Sequence, residues 1–180
     1  MNYRDNIWKL YAIRFFHNLI PAYVIERLFW EQRGMTIQMV VYTEIIYAVT
    51  VVLLEIPTGI IADKWGRKRL IIVDAFLGCC ELLILIYATG FRHFAAAIFL
   101  AGIGRAAGSG SENALLYDSL FSNGEEQSFE KCLGRLNALD FIAAIVAALS
   151  GSLMAGWRGF ELNYWISCVS MLISLCISFT

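Results

Sequence analysis

The chain has 180 residues, 59% of them hydrophobic and only 16% charged, with a formal net charge of −1 and a mean hydropathy of +0.64. A water-soluble domain of this length has no interior large enough for so many apolar side chains, and a charge near zero without a basic face excludes a nucleic-acid surface. Runs of roughly 20 apolar residues divided by short polar connections imply an all-α, multi-pass membrane protein.

Six spans are predicted, in one unit covering residues 1–180. The first, at about 10–30, carries Arg14, His17, Asn18, Pro21 and Glu26. No small-residue cleavage site follows a short apolar core, so this span is expected to be retained. The second, at 37–62, has Glu44 near its middle and Pro57 near its end. The third, at 70–89, holds Asp74, expected closer to the inner interface, and Glu81 at depth. The fourth, at 94–120, is the least apolar and contains Arg105 and Glu112. Between it and the fifth, Phe121 to Cys132 carries Glu125, Glu126 and Glu130 and reads as an exposed connection with amphipathic helical character. The fifth, at 133–155, contains Asp140, and the sixth, at 162–180, runs to the last residue and reads as cut off inside an apolar run.

With the N-terminus inside, the inner ends hold Arg4, Lys9, Lys64, Arg67, Lys68, Arg69, Lys131 and Arg135, and the outer ends hold Arg27, Arg33, Arg92 and Arg158. All four lysines fall inside, so the positive-inside rule predicts a cytoplasmic N-terminus. Trp8, Trp30, Trp65, Trp157 and Trp165 fall near the proposed interfaces, as an aromatic belt would. The five cysteines lack metal-ligand spacing and read as small apolar residues. With no second histidine at helical spacing from His17, no metal site is expected, and no cofactor is implied. His93 is expected to be solvated in an outer loop.

The densest patch of charge, Gly59-Ile60-Ile61-Ala62-Asp63-Lys64-Trp65-Gly66-Arg67-Lys68-Arg69, lies between the second and third spans. Gly59 permits close backbone approach and Gly66 a tight turn; Asp63 and Arg67, four apart, would share one side of a helical turn. A plain positive-inside loop needs only the cations, not the glycines or the aspartate. The pattern Gly-x-x-x-Asp-Lys-x-Gly-Arg-Lys, with Glu55-Ile56-Pro57-Thr58 before it and Leu116-Tyr117-Asp118-Ser119 later, resembles the signature loop of the major facilitator superfamily.

The resemblance implies the N-terminal six-span half of a twelve-span transporter, built as two three-helix repeats, with the C-terminal half absent from this chain. It implies that Arg67 pairs with Asp118. It also implies that Asp63 faces the start of a helix in the other half and holds an inner gate shut. The Glu-x-Pro-Thr-Gly run resembles drug-efflux-type members, which implies proton-coupled export of a small molecule from the plasma (inner) membrane; a proton-coupled uptake symporter is the alternative.

Polar residues at depth are the remaining candidates. A mid-span arginine costs at least ~2.5–3.5 kcal/mol to insert, so Arg105, like Arg14, is expected to meet a wet cavity or a partner. Arg105 and Gly108 resemble the family's span-four motif, tied to proton coupling, although Ala107 stands where that motif often has a polar residue. Gly104 and Gly108 form a Gly-x-x-x-Gly step for close helix packing. Glu112, seven residues after Arg105, is expected on nearly the same face and lining the same cavity, roughly 10 Å away by helical rise. Glu112 is the first candidate for reversible protonation, with Glu44 and Asp140 next; His17 is a further candidate for substrate or proton. A reading from another class, an intramembrane serine protease using Ser109 in Ala107-Gly108-Ser109-Gly110, lacks a base histidine in the last span.

Overall fold

The computed structural model describes residues 3–180, with the side chains of residues 3–6 and 158 outside the described set; Arg4 and Arg158, counted above among the inner and outer cations, fall there. The described chain contains no strand. Its elements are α1 (Tyr3–Asn18), α2 (Pro21–Gln32), α3 (Ile37–Trp65), α4 (Arg67–Ile86), α5 (Phe91–Phe121), a 3₁₀ turn (Glu126–Ser128), α6 (Phe129–Arg158) and α7 (Glu161–Phe179).

The first predicted span is two helices. Pro21 opens α2, where its missing N–H is harmless, and the backbone breaks at Leu19–Ile20. The freed polar groups are met from α7. Ser167 Oγ accepts from the Ala22 N–H at 3.0 Å, while Ser170 and Ser174 donate to the Phe16 and Ile13 carbonyls at 2.8 and 3.1 Å. A broken helix inside a bilayer needs such partners, because no water is there to supply them. Pro57, by contrast, leaves α3 continuous. The neighbouring Thr58 hydroxyl sits between the Leu54 carbonyl at 2.7 Å and the Ala106 carbonyl of α5 at 2.8 Å.

The connection after the fourth span contains no separate amphipathic helix. It is an exposed turn at Ser122–Gly124 and one 3₁₀ turn, and α6 starts at Phe129, four residues earlier than its apolar run suggests. Gly124, at φ +70°, takes the left-handed turn conformation that glycine tolerates. His93 stands exposed in the first turn of α5 instead of in a loop.

Packing centres on α4, α5 and α7. The main core joins Phe29, Trp30, Leu82, Leu85, Phe94, Tyr164 and Met171. Trp30 is fully buried with its ring 5.2 Å from that of Phe94, so it is a core residue and not part of an interfacial belt. Trp8, Trp65, Trp157 and Trp165 are exposed. Cys79, Cys132 and Cys168 are buried, but Cys176 is exposed. At the end of the bundle opposite Gly66, Arg33 ties three elements: it donates to the Ala88 carbonyl and to Glu161, both at 2.8 Å.

Three stretches are long and apolar enough to cross a membrane: Ile37–Trp65, Glu126–Trp157 and Glu161–Phe179. Only 17% of the apolar window is buried in each of the first two, against 44% in the last. Thus α3 and α6 carry broad exposed apolar faces, including Val52, Leu53 and Ile56 on α3 and Phe141, Leu149 and Leu153 on α6. A soluble monomer does not expose apolar surface on this scale.

Candidate functional site

Three polar regions occupy this apolar bundle. The first is the turn at Gly66. The charged stretch is no open loop: α3 runs to Trp65, α4 starts at Arg67, and Gly66 alone makes the break at φ +103°. That backbone would strain any residue with a Cβ. Asp63 ends up in the last turn of one helix and Arg67 at the head of the next. They meet at 3.7 Å across the break, not along one helical face. Arg67 Nη1 also donates to Asp118 Oδ2 at 2.6 Å and to the Ala114 carbonyl at 2.7 Å, clamping α4 to the end of α5. Asp63 and Asp118 remain largely open, their side chains 73% and 54% exposed. Lys68 lies beside them, exposed, and Gly59 lines a shallow 180 Å³ hollow with Asp63 and Arg67.

The second region is a cluster built on Arg14 of α1. Its guanidinium pairs with Asp140 of α6 and lies 3.4 Å from Glu112 of α5. Asn18, one turn on, donates to Asp140 at 3.0 Å. Three helices are pinned here by one cation shared between two carboxylates. Glu112 therefore does not line a common cavity with Arg105: the two turns between them carry Glu112 to Arg14 instead.

The third region is a cavity of about 490 Å³ between α1, α2, α3, α4, α5 and α7. Four carboxylates line it, Glu26, Glu44, Asp74 and Glu81, with Arg105 and His17 as the basic groups. Arg105 is exposed and makes no ion pair among the described residues. Arg27 takes up Glu44 at 2.6 Å and approaches Glu26 at 3.4 Å, while His17 Nε2 stands 3.8 Å from Asp74. Glu81, only 3% exposed, meets a single donor among the described residues: the Tyr23 hydroxyl, 3.2 and 3.3 Å from its two oxygens.

The Gly104–Gly108 step has an unexpected occupant. A Cβ on Gly104 would lie 2.9 Å from Asp74 Oδ1, and one on Gly108 would overlap the same carboxylate, 2.8 Å from its Cγ. The two glycines form a notch in α5 that admits the Asp74 side chain, besides letting the helices approach.

Glu81 was legible as an acid at depth, whereas Asp74 was expected closer to the inner interface and lies buried on the same cavity; the two were not legible as a pair. The signal was there: seven residues apart, they lie two turns along one face of α4. Tyr23 and Glu26, three apart on α2, repeat it. No side chain here, among the described residues, belongs to a group of three or more histidine, cysteine or acidic residues able to hold a metal.

An all-helical bundle with broad apolar outer faces and a polar centre is an integral membrane protein. Residues 11–180 match the model of the Major Facilitator Superfamily, and the chain belongs to that family. It is 32% identical over 134 residues to an uncharacterized transporter of Buchnera aphidicola subsp. Schizaphis graminum, covering 74% of this chain and 33% of that protein. It is 26% identical over 132 residues to another, from Buchnera aphidicola subsp. Acyrthosiphon pisum, covering 73% and 32%. The chain thus spans about a third of the length of the curated relatives it matches. Membership in this family, whose matched relatives are named transporters, sets the serine-protease reading aside; the protein is not an enzyme.

Proposed function

We propose that the chain forms the N-terminal six-span half of a secondary transporter, which exports a small molecule in exchange for protons by alternating access. The single observation that carries this reading is the 490 Å³ cavity lined by ionisable side chains in the middle of an apolar bundle. Ionisable residues within a membrane segment are costly and mark substrate or proton paths. On this reading α1 and α2 together make one crossing, α4 and α5 two more, and the six crossings form two three-helix repeats. A C-terminal half covers the cavity from the other side.

In this scheme the proton resides on the Arg14 cluster. One guanidinium between Glu112 and Asp140 leaves one negative charge unmatched, and a proton satisfies it. The Arg67–Asp118 clamp and Asp63 then form the inner gate, with Asp63 free to meet the positive N-terminal end of a helix in the other half. The N-terminus and the Gly66 turn face the cytoplasm, and the membrane is the plasma (inner) membrane.

The test is transport by the full-length protein in liposomes. A pH gradient should drive compounds against the proton flow; accumulation in the same direction as the protons would replace export by symport, and no transport in either direction would end the reading. Glu112→Gln should flatten the pH profile of transport. Cysteines at Lys64 or Lys68 should react with impermeant thiol reagents only from the inside, and labelling in intact cells would invert the topology.

A further inference from the structure

We infer that the cavity holding Glu81 and Tyr23 is the binding site of an organic monocation with an apolar body. The inference rests on the transporter reading above and adds the class of cargo.

Among the described residues, Glu81 is the one carboxylate of the cavity that no basic side chain pairs with. Glu44 and Glu26 have Arg27, and Asp74 has His17. The charged groups that act on Glu81 are Glu26 and Asp74, both acids, whereas the field of Arg105 falls on Asp74. The Tyr23 hydroxyl can give Glu81 one proton, shared between two oxygens at 3.2 and 3.3 Å. A carboxylate accepts about four hydrogen bonds. Glu81 is 97% removed from solvent by its 3% exposure and still lines the open space. A buried carboxylate in this condition holds either a proton or a cationic partner, and no basic side chain among the described residues pairs with it. A cation that arrives from outside can take the proton's place.

The walls decide what kind of cation. A bare metal ion needs converging oxygen or nitrogen ligands, and no group of three or more metal-ligating acids, histidines or cysteines is present among the described residues. The rest of the lining includes Tyr47, Ile98, Ala101 and Met171, which suit hydrocarbon and, at the tyrosines, the face-on approach of a cation. The 490 Å³ volume falls within the ~300–1,000 Å³ of small-molecule sites. Four acids against two arginines, Arg105 and Arg27, also repel an anion of the same shape.

Equilibrium binding to the full-length protein in detergent separates these terms. Tetraphenylphosphonium is the probe, and tetraphenylborate, equal in shape and opposite in charge, is the comparison. The phosphonium should bind at least tenfold more tightly than the borate. Glu81→Gln should abolish that preference, and Glu81→Asp should keep it. Where Glu81→Gln does not purify as a monodisperse protein, the parent serves: the phosphonium, and not the borate, should slow carbodiimide modification of Glu81 read by mass spectrometry. Equal binding of the two ions, an unaltered preference in Glu81→Gln, or no protection of Glu81 would each overturn the inference. A protein that binds the cation but moves nothing in liposomes supports the site and removes the transport reading. One that carries a neutral or anionic compound and ignores the cation does the reverse.

Discussion

The Arg14 cluster and the Glu81 cavity lie in the same bundle and differ in one respect. In the first, an arginine is bound by acids from two other helices, so the charges hold the fold together. In the second, one of the four acids, Glu81, meets no basic partner among the described residues, only the Tyr23 hydroxyl. An acid that holds an arginine from another helix braces the fold even where, as with Glu112 and Asp140, one negative charge is left over. An acid with no basic partner is available to something that enters. The comparison also ranks the positions by what their loss should do.

Arg14→Ala should have the largest effect. It strands Asp140 and Glu112 at once, and for a part-buried pair the cost approaches the lower end of the range for buried ones, about 3 kcal/mol. Denaturant unfolding in detergent would register it. If Glu81→Gln proves as destabilising as Arg14→Ala, the distinction between the two regions fails. Gly108→Ala comes next. The added methyl overlaps the Asp74 carboxylate, and overpacking of this kind costs about 1–3 kcal/mol. Combining it with Asp74→Ala should recover part of the loss, since the methyl then has room; strict additivity would mean that the notch does not select for Asp74.

A smaller effect is expected at the Gly66 turn, where the ion pairs are half open. In a double-mutant cycle on Arg67→Ala and Asp118→Ala, the coupling should be about 1 kcal/mol, near the upper end for exposed pairs. Zero coupling would mean that the 2.6 Å contact contributes nothing in the membrane. Asp63→Asn should be the mildest, within ~0.5 kcal/mol for this chain, because the side chain is 73% exposed and its one ion pair spans 3.7 Å. In the full-length protein the same change should shift the population toward inward-open states, read as altered accessibility of cysteines in the inner and outer cavities. Unchanged accessibility would make Asp63 a surface charge and not a latch.

What the sequence by itself determined was the set of apolar helices, the family and the charged turn, because these depend on local composition. A run of about 20 apolar residues has few fates, and a glycine flanked by cations after an apolar run marks a helix end at a membrane surface. Even here the first span was misread: the sequence placed Pro21 inside one helix, and it opens a second, because serines on α7 satisfy the broken backbone from about 150 residues away in the chain. The tertiary structure alone decided which charge meets which. Arg14 and Asp140 are 126 residues apart, and Arg105 and Glu112, neighbours on one helix, part company because different helices face them. Periodicity says which side of its own helix a residue occupies. It is silent about what stands opposite, and in a medium of low dielectric the group opposite determines whether an acid is a brace or a binding site.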